Sequence, residues 1–291
     1  MIKEYHARGK IFWPDGCRIA VFLSFDFQGG EPERPLPNGR MNYENWTQGE
    51  YGPNTGIWRI LRILKEKEVK ATFLTCGGIA ERYPEPVKAI VAQGHEIAGH
   101  GYHHEVARDL SEEEERDVIK RTTEMIQMRT EKRPMGWRSC TQSPNTLELL
   151  MEHGGYLWNS NSFAHDLPFV LEKGSQTLVE LPRQPFGDGW IYGSMNSAGN
   201  PSVALTVWKS LFDELYEESG SAPTYCPFTL HPYISSRPGR ANVLAEMIQY
   251  MKEHKGVWFA TGSEIAQWWL KQGFSKETIV ERPRAVGQGA S

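Results

Sequence analysis

The sequence of 291 residues predicts an α/β fold with a mainly parallel sheet. Strand-length apolar runs alternate with segments of helical period, which gives about seven βα units along the chain. Several of these runs end directly in Asp, Arg or His, and the carboxyl ends of parallel strands meet at one rim of such a fold. An apolar fraction of 39% is enough for a substantial core, so we expect one domain spanning residues 1–291.

The first half of the chain opens with an apolar run at 19–25 that ends in Asp26. Apolar and charged residues then alternate at helical period, and the next helix stops at Gly94, the usual residue for that position. The predicted elements of this half are strands at 19–25, 69–75 and 95–98 and helices at 58–67 and 79–93.

The second half continues the same rhythm. Ser111 and Glu114 have the spacing of a capping box, so a helix should begin there and run to about Arg129. The predicted strands are 134–140, 156–161, 179–182, 224–231 and 257–261, and the predicted helices are 111–129, 145–152, 205–218 and 243–254.

Residues 32–55 are rich in Pro, Gly and Asn and contain Tyr43 and Trp46. This composition predicts a long loop, and long loops inside a domain commonly form a lid or a wall of a site. A surface excursion and a subunit interface are the alternatives for this segment.

Charge and composition exclude several classes of function. A net charge of −4 and a pI near 6.2 give no basic footprint for nucleic acid or for an anionic membrane. The N-terminus lacks the apolar stretch of a signal peptide, and no run of about 18 apolar residues occurs, which predicts a cytoplasmic protein. The four cysteines are widely separated and are expected to be reduced thiols: Cys17, Cys76, Cys140 and Cys226.

Residues 94–105 contain four of the nine histidines and two acids. His100 and His104 are four apart, so in a turn or a helix both imidazoles can face one divalent cation. Gly99 and Gly101 favour a loop that opens into a helix. A solvated polar turn or a hydrogen-bonded core histidine is the structural alternative.

Asp26 at a strand end, followed by the His-x-x-x-His segment, resembles the first two motifs of the polysaccharide deacetylase superfamily. The segment 163–169, with its Asp-Leu-Pro-aromatic string, is similar to the branch that holds allantoinase-like proteins, cyclic-imide-hydrolase-like proteins and single-domain peptidoglycan deacetylases. The resemblance implies a distorted, incomplete (β/α)7 TIM-like barrel. It also implies a homo-oligomer, either a dimer or a tetramer.

A site can be assembled from the strand ends. Asp26, His100 and His104 offer the three protein ligands of a catalytic metal site with a free position for water, and zinc is the expected metal. By resemblance, Arg138 orients the catalytic carboxylate, and His231 is the acid that protonates the leaving nitrogen. Cys140 stands where the family often has proline.

One departure from the family pattern leaves the role of Asp26 open. The deacetylases carry a second carboxylate one or two residues after the first, whereas this chain has Phe27 and Gln28 there. Asp26 is then either the base of a two-histidine metal site or a ligand of a site whose base lies elsewhere, with Glu31 as one candidate. Loss of metal dependence is the third alternative.

The substrate is inferred from aromatic residues near the strand exits. Trp137, Phe169, Trp190 and Tyr233 predict a closed, partly aromatic pocket, unless they belong to the core. Such a pocket suits a small molecule, so the favoured function is hydrolytic opening of a cyclic amide, imide or ureide. The alternatives are N-deacetylation of amino sugars in peptidoglycan- or chitin-type glycans, and a non-catalytic carbohydrate- or metabolite-binding protein with a decayed metal site.

Overall fold

The computed structural model describes residues 2–7, 11–33, 39–192, 200–272 and the backbone of 280–281. In these ranges, eleven strands form one sheet. The strands are β1 (Lys3–Tyr5), β2 (Ile19–Phe27), β3 (Thr72–Thr75), β4 (Glu96–Gly99), β5 (Gly136–Trp137), β6 (Trp158–Asn159), β7 (Phe169–Lys173), β8 (Gln176–Glu180), β9 (Thr224–Leu230), β10 (Val257–Phe259) and β11 (Val280–Glu281).

Helices follow most of the parallel strands. In chain order they are α1 (Tyr43–Tyr51), α2 (Ile57–Glu66), α3 (Gly77–Arg82), α4 (Pro84–Ala92), α5 (Glu112–Thr130), α6 (Thr146–His153), α7 (Asp188–Ile191), α8 (Pro201–Glu218), α9 (Pro232–Ser235), α10 (Arg240–Lys252) and α11 (Gly262–Trp269). Ser111 and Glu114 form the predicted capping box at the start of α5. No described helix combines the length and the apolar character needed to cross a bilayer.

Strand β2 pairs with three other strands, and all nine of its residues are buried. It pairs in parallel with β9 along seven residues, from Ile19 opposite Thr224 to Phe25 opposite Leu230. Its other edge is shared, because β10 pairs with Ile19–Val21 and β3 pairs with Ser24–Phe27. A strand apolar on both faces is the expected pattern for a sheet covered on both sides.

The sheet then continues in parallel from β3 through β4, β5 and β6 to β8. Beyond β8 it turns antiparallel, through the β7–β8 hairpin to β1 and β11. In the described residues β8 and β9 do not pair, so the barrel stays open on that side. The predicted α/β class and the incomplete barrel are thus confirmed.

Several described elements were not predicted, among them β1, β7, α1 and α11. The range 32–55 is not one long loop, since α1 and a π-helical turn (Gly52–Gly56) occupy most of its described part. The Asn42 side chain starts α1 by accepting a hydrogen bond from the Asn45 backbone N–H at 3.0 Å. Strand β7 was not predicted either, because its pairing with β1 joins residues far apart in the sequence.

Candidate active site

A pocket of about 480 Å³ opens at the carboxyl ends of the parallel strands. Its floor and walls carry charged and polar groups from several strand exits, and Phe163 and Trp190 add aromatic surface. The polar and charged residues that line it include Asp26, Gln28, His100, His104, Arg183 and His231. The structure therefore brings the predicted residues at the ends of β2, β4 and β9 to one cavity.

Asp26 is held by a buried arginine that follows β5. Arg138 is fully buried, and its Nη1 donates to Asp26 Oδ1 at 2.6 Å and to the Ser24 hydroxyl at 3.1 Å. Its other nitrogens donate to the Ser160 carbonyl and hydroxyl. Burial alone would raise the pKa of Asp26, but the charge of Arg138, together with the neighbouring His100, His231 and Arg183, outweighs burial and holds that pKa far below its usual range. Asp26 is therefore a fixed carboxylate with Oδ2 left towards the pocket.

His100 presents an unused nitrogen to that carboxylate. Its Nδ1 lies 2.7 Å from the Arg138 carbonyl oxygen, which can only accept, so Nδ1 carries the hydrogen and Nε2 carries the lone pair. Nε2 is buried, has no hydrogen-bond partner, and lies 3.9 Å from Asp26 Oδ2. Burial lowers the pKa of His100, so the ring is neutral at pH 7.

His104 stands beside His100, with the two ring centroids 4.8 Å apart. It has a left-handed backbone with φ of 59°, which turns the chain so that both rings reach the pocket. Burial, with the neighbouring His100, lowers the pKa of His104 to about 3. The pocket thus contains two neutral imidazoles beside one carboxylate.

This donor set fits a divalent transition metal. His100 Nε2 and Asp26 Oδ2 are both acceptors and face each other across 3.9 Å, an arrangement that a cation between them would satisfy. The ligand atoms of Asp26, His100 and His104 lie further apart than those of a closed metal site, however. Among the described residues, three ligand atoms within 4.8 Å of one another are found at Glu4, His6 and His165 and not here.

His231 is polarised from behind by a buried carboxylate. Its Nδ1 lies 2.6 Å from Asp188 Oδ1, and its backbone N–H donates to Asp188 Oδ2 at 2.7 Å. The Ser235 hydroxyl also donates to Oδ2 at 2.7 Å. Burial alone would lower the pKa of His231, but the Asp188 charge and hydrogen bond raise it. His231 can therefore hold a proton on Nε2 in a pocket where the other imidazoles are neutral.

Two residues of the site were missed by the sequence analysis. Asp188 lies between two glycines, a signal too common to single it out. Arg183 follows the Leu-Pro exit of β8, and its guanidinium stacks on the Phe163 ring at 4.6 Å. Burial and the nearby Arg138 lower the pKa of Arg183 to about 10. In the described ranges no carboxylate oxygen comes within 4.0 Å of its guanidinium, so a cationic group lines the pocket without a close anionic partner.

The four predicted aromatic contacts separate into two groups. Trp137 and Phe169 are 2% and 1% exposed and belong to the core, so their assignment to the pocket wall was wrong. The Trp137 indole packs on Gly99 and donates to the Ser139 hydroxyl. Trp190 lines the pocket and is 72% exposed, while Tyr233 is half-buried with its ring 5.5 Å from that of His231. The mouth is more open than the predicted closed pocket.

Glu31, the alternative base, lies behind the site. It is buried, its Oε1 accepts from Arg82 at 2.9 Å and its Oε2 lies 2.6 Å from His103 Nδ1. It is not among the residues that line the pocket. Asp26 is the single carboxylate among the described lining residues, and Cys140 lines the same wall with its thiol free.

Comparison with known proteins identifies a family. Residues 50–154, which contain His100, His104 and Arg138, match the family model described as polysaccharide deacetylase. A peptidoglycan deacetylase from Helicobacter pylori is 29% identical over 273 residues, which cover 82% of this chain and 92% of that protein.

Solved structures give the same result over a longer stretch. A Pseudomonas aeruginosa PAO1 protein described as "probable Polysaccharide deacetylase" is 31% identical with a TM-score of 0.81, and the match covers 88% of this chain and 92% of the other. The PuuE allantoinase is 28% identical with a TM-score of 0.82 and the same two coverages. The chain therefore belongs to the polysaccharide deacetylase family and is a hydrolase of carbon–nitrogen bonds.

Proposed function

We propose that this enzyme removes the N-acetyl group from an acetylated amino sugar of the peptidoglycan type. The observation that carries the proposal is the pairing, in one pocket, of a carboxylate held by Arg138 at Asp26 with an imidazole hydrogen-bonded to Asp188 at His231. Amide hydrolysis needs an oriented water and an acid for the leaving nitrogen. These two residues supply both functions.

His231 acts as the acid in this proposal. Asp188 accepts the Nδ1 hydrogen, which fixes the ring and leaves Nε2 as the nitrogen that gives its proton to the departing amine. Because Asp188 raises the pKa of His231, the protonated ring is populated nearer to neutral pH.

Asp26 orients the attacking water through Oδ2. A carboxylate whose pKa is strongly lowered is a weak base, because proton transfer to it has little driving force. Asp26 therefore orients the water and ligates a cation, and it would accept the proton that the water loses on attack only when a bound cation makes that water more acidic. Asp26, His100 and His104 would hold a divalent metal, for which zinc is our proposal, and when bound that metal would act as a Lewis acid on the carbonyl oxygen.

Deacetylation is favoured over ring opening by the form of the pocket and by the relatives. Trp190 stands largely exposed at the mouth, where its face is available to a sugar ring, and the open mouth leaves room for neighbouring units of a glycan. The Helicobacter pylori relative is named a peptidoglycan deacetylase. Opening of a cyclic ureide is the second candidate, because the allantoinase is similar over most of the chain.

A substrate panel tests the proposal. We expect acetate release from acetylated chito-oligosaccharides and peptidoglycan fragments, and slower or no turnover of allantoin, hydantoin and succinimide. Assays before and after dialysis against a chelator test the metal requirement. Asp26→Asn serves as the inactive control, since it keeps the shape of the side chain and removes its charge. Ring opening without any acetate release would replace the proposal by the second candidate.

A further inference from the structure

We propose that Glu4, His6 and His165 form a second metal site, for zinc or a similar transition metal, outside the active-site pocket. Each of the three side chains offers a ligand atom within 4.8 Å of the other two. The two imidazole rings are 4.4 Å apart between centroids, and His6 Nε2 is 4.0 Å from Glu4 Oε2. Two imidazoles and a carboxylate are a known zinc donor set that leaves a position for water.

The backbone explains why these residues meet. Glu4 and His6 are two positions apart at β1, so their side chains point to the same face of the strand. His165 arrives on the segment that leads into β7, which pairs antiparallel with β1 and places Tyr5 opposite Val170. The cluster therefore joins the N-terminal strand to the segment 162–168, a contact between residues about 160 positions apart in the sequence.

The surroundings suit a metal with nitrogen ligands. Phe169 packs against both imidazoles, at 5.3 Å from His6 and 4.9 Å from His165, and limits how the rings can turn. Both histidines are half-buried, so an ion can enter from solvent, while the Glu4 side chain is almost fully buried. Imidazole ligands favour zinc, copper or nickel over magnesium or calcium.

The site is separate from the proposed catalytic metal position. None of its three residues lines the pocket, and its ligands come from β1 and the β7 approach, whereas Asp26 and His100 lie at the ends of β2 and β4. Metal here would fix the segment that carries Phe163, the aromatic residue on which Arg183 stacks. Its role is to hold that wall of the pocket in place.

Zinc titration of the full chain, freed of metal by a chelator, tests the proposal by calorimetry. We expect the double variant His6→Gln/His165→Gln to bind one molar equivalent less than the native protein, and we expect His100→Gln to keep that equivalent. Glu4→Gln should weaken the same equivalent at least tenfold, and it provides a milder change if the double variant folds poorly. His153→Gln, another half-buried histidine, is the matched control and should bind as the native protein does.

Two results would overturn the proposal. One is unchanged zinc stoichiometry in a folded double variant, with folding checked by circular dichroism without metal. The other is loss of all bound zinc in His100→Gln. Because the readout is binding, it does not depend on which substrate the enzyme takes.

Discussion

The two groups assigned to the reaction have pKa values moved in opposite directions by their partners. Arg138 lowers that of Asp26, and Asp188 raises that of His231, although both groups are buried in the same pocket. Both shifts favour the charged forms, a carboxylate at Asp26 and an imidazolium at His231, as an acid with an oriented water requires. Arg138 and Asp188 therefore matter for the proposed reaction as much as the residues that touch the substrate.

Replacement of Asp188 should shift the pH profile of the enzyme. The acid must carry a proton, so activity is present below the pKa of His231 and falls as the pH rises through it. Since Asp188 raises that pKa, Asp188→Asn should move the falling limb of kcat/KM to lower pH, with a loss of about 10²–10⁴-fold at neutral pH. The other charged groups that act on His231 are Asp26 and Arg138, and both are unchanged in the variant.

A pH series of kcat/KM makes the measurement. Ser235→Ala is the matched control, because it removes a hydrogen bond to Asp188 and keeps the carboxylate. Its falling limb should stay near that of the native enzyme. If the limb of Asp188→Asn does not move, His231 is not the acid.

Replacement of Arg183 should alter the preference for charged substrates. Its guanidinium lines the pocket with no close carboxylate partner in the described residues, so a substrate carboxylate would gain a charged hydrogen bond. Such bonds contribute about 1.5–3 kcal/mol, which corresponds to a loss of about 10- to 100-fold in kcat/KM for Arg183→Met. The loss should appear with N-acetylmuramic acid. N-Acetylglucosamine, which lacks the carboxylate, is the control substrate, and equal losses for both would rule out recognition of charge.

At the scale of elements, neighbouring parallel strands pack closely because a glycine in one strand faces a tryptophan ring of the next. Gly136 in β5 faces the indole of Trp158 in β6, and Gly99 in β4 faces that of Trp137 in β5. Trp158 is fully buried and donates to Glu96 at 3.0 Å, which fixes its position. The rim that carries Arg138 depends on this close packing.

Gly136→Ala should destabilise the fold. A Cβ there would overlap the Trp158 ring, and overpacking of this kind costs about 1–3 kcal/mol. The free energy of unfolding from urea denaturation measures it. Gly52→Ala is the control, because Gly52 is helical and a Cβ there would meet Tyr233 at an ordinary 3.6 Å. Equal stability of the two variants would contradict the packing argument.

The elements that the sequence predicted correctly are those that depend on local pattern. The apolar run at 19–25 and the capping box at Ser111 each mark an element by their own residues, and both are present. Strand β7 and helix α1 were missed for a different reason. β7 is specified by its pairing with β1 and β8, and α1 has few apolar positions to reveal a helical period.

At the scale of the molecule, the site residues also separate into those that the sequence pattern predicts and those whose position depends on the path of the folded chain. Residues directly after strands could be placed at one rim, because the topology of parallel strands decides where they meet. Arg183 and Asp188 lie in the connection between β8 and β9. The path of that connection decides that Arg183 lines the pocket and that Asp188, at the start of α7, lies behind His231. Trp137 and Phe169 show the converse, since a ring near a strand end can face the core. The cytoplasmic location, the single domain and the homo-oligomer stay predictions.

One buried ionic network joins α1 and the loop after β2 to α3, directly behind the histidine loop. Arg82 binds Glu50 through both carboxylate oxygens at 3.0 Å and Glu31 at 2.5 and 2.9 Å. The Glu50 carboxylate also accepts from the Gly30 backbone N–H and from the Tyr83 hydroxyl. His103, next to His104, hydrogen-bonds Glu31 at 2.6 Å. Arg82 therefore holds α1 and the loop after β2 to α3, and Glu31 connects this network to the histidine loop through His103.

Arg82→Met should destabilise the whole molecule, because it leaves two buried carboxylates without their cation. We expect a loss of about 3 kcal/mol at pH 7, the low end for a buried pair, since the Arg82 side chain is 35% exposed.

The penalty should also depend on pH. Although burial opposes it, hydrogen bonds from His103 and Arg82 lower the pKa of Glu31 in the folded state. The stabilisation is therefore complete above the unfolded pKa of glutamate and is lost as the pH falls through the lower folded value, so the penalty should shrink below about pH 4. Urea denaturation at neutral and at acidic pH measures the change in this penalty. Arg62→Met is the control, because it breaks only an exposed i,i+4 pair with Glu66 and should cost below about 0.5 kcal/mol. A similar small cost for both variants would mean that the network contributes no more than a surface pair.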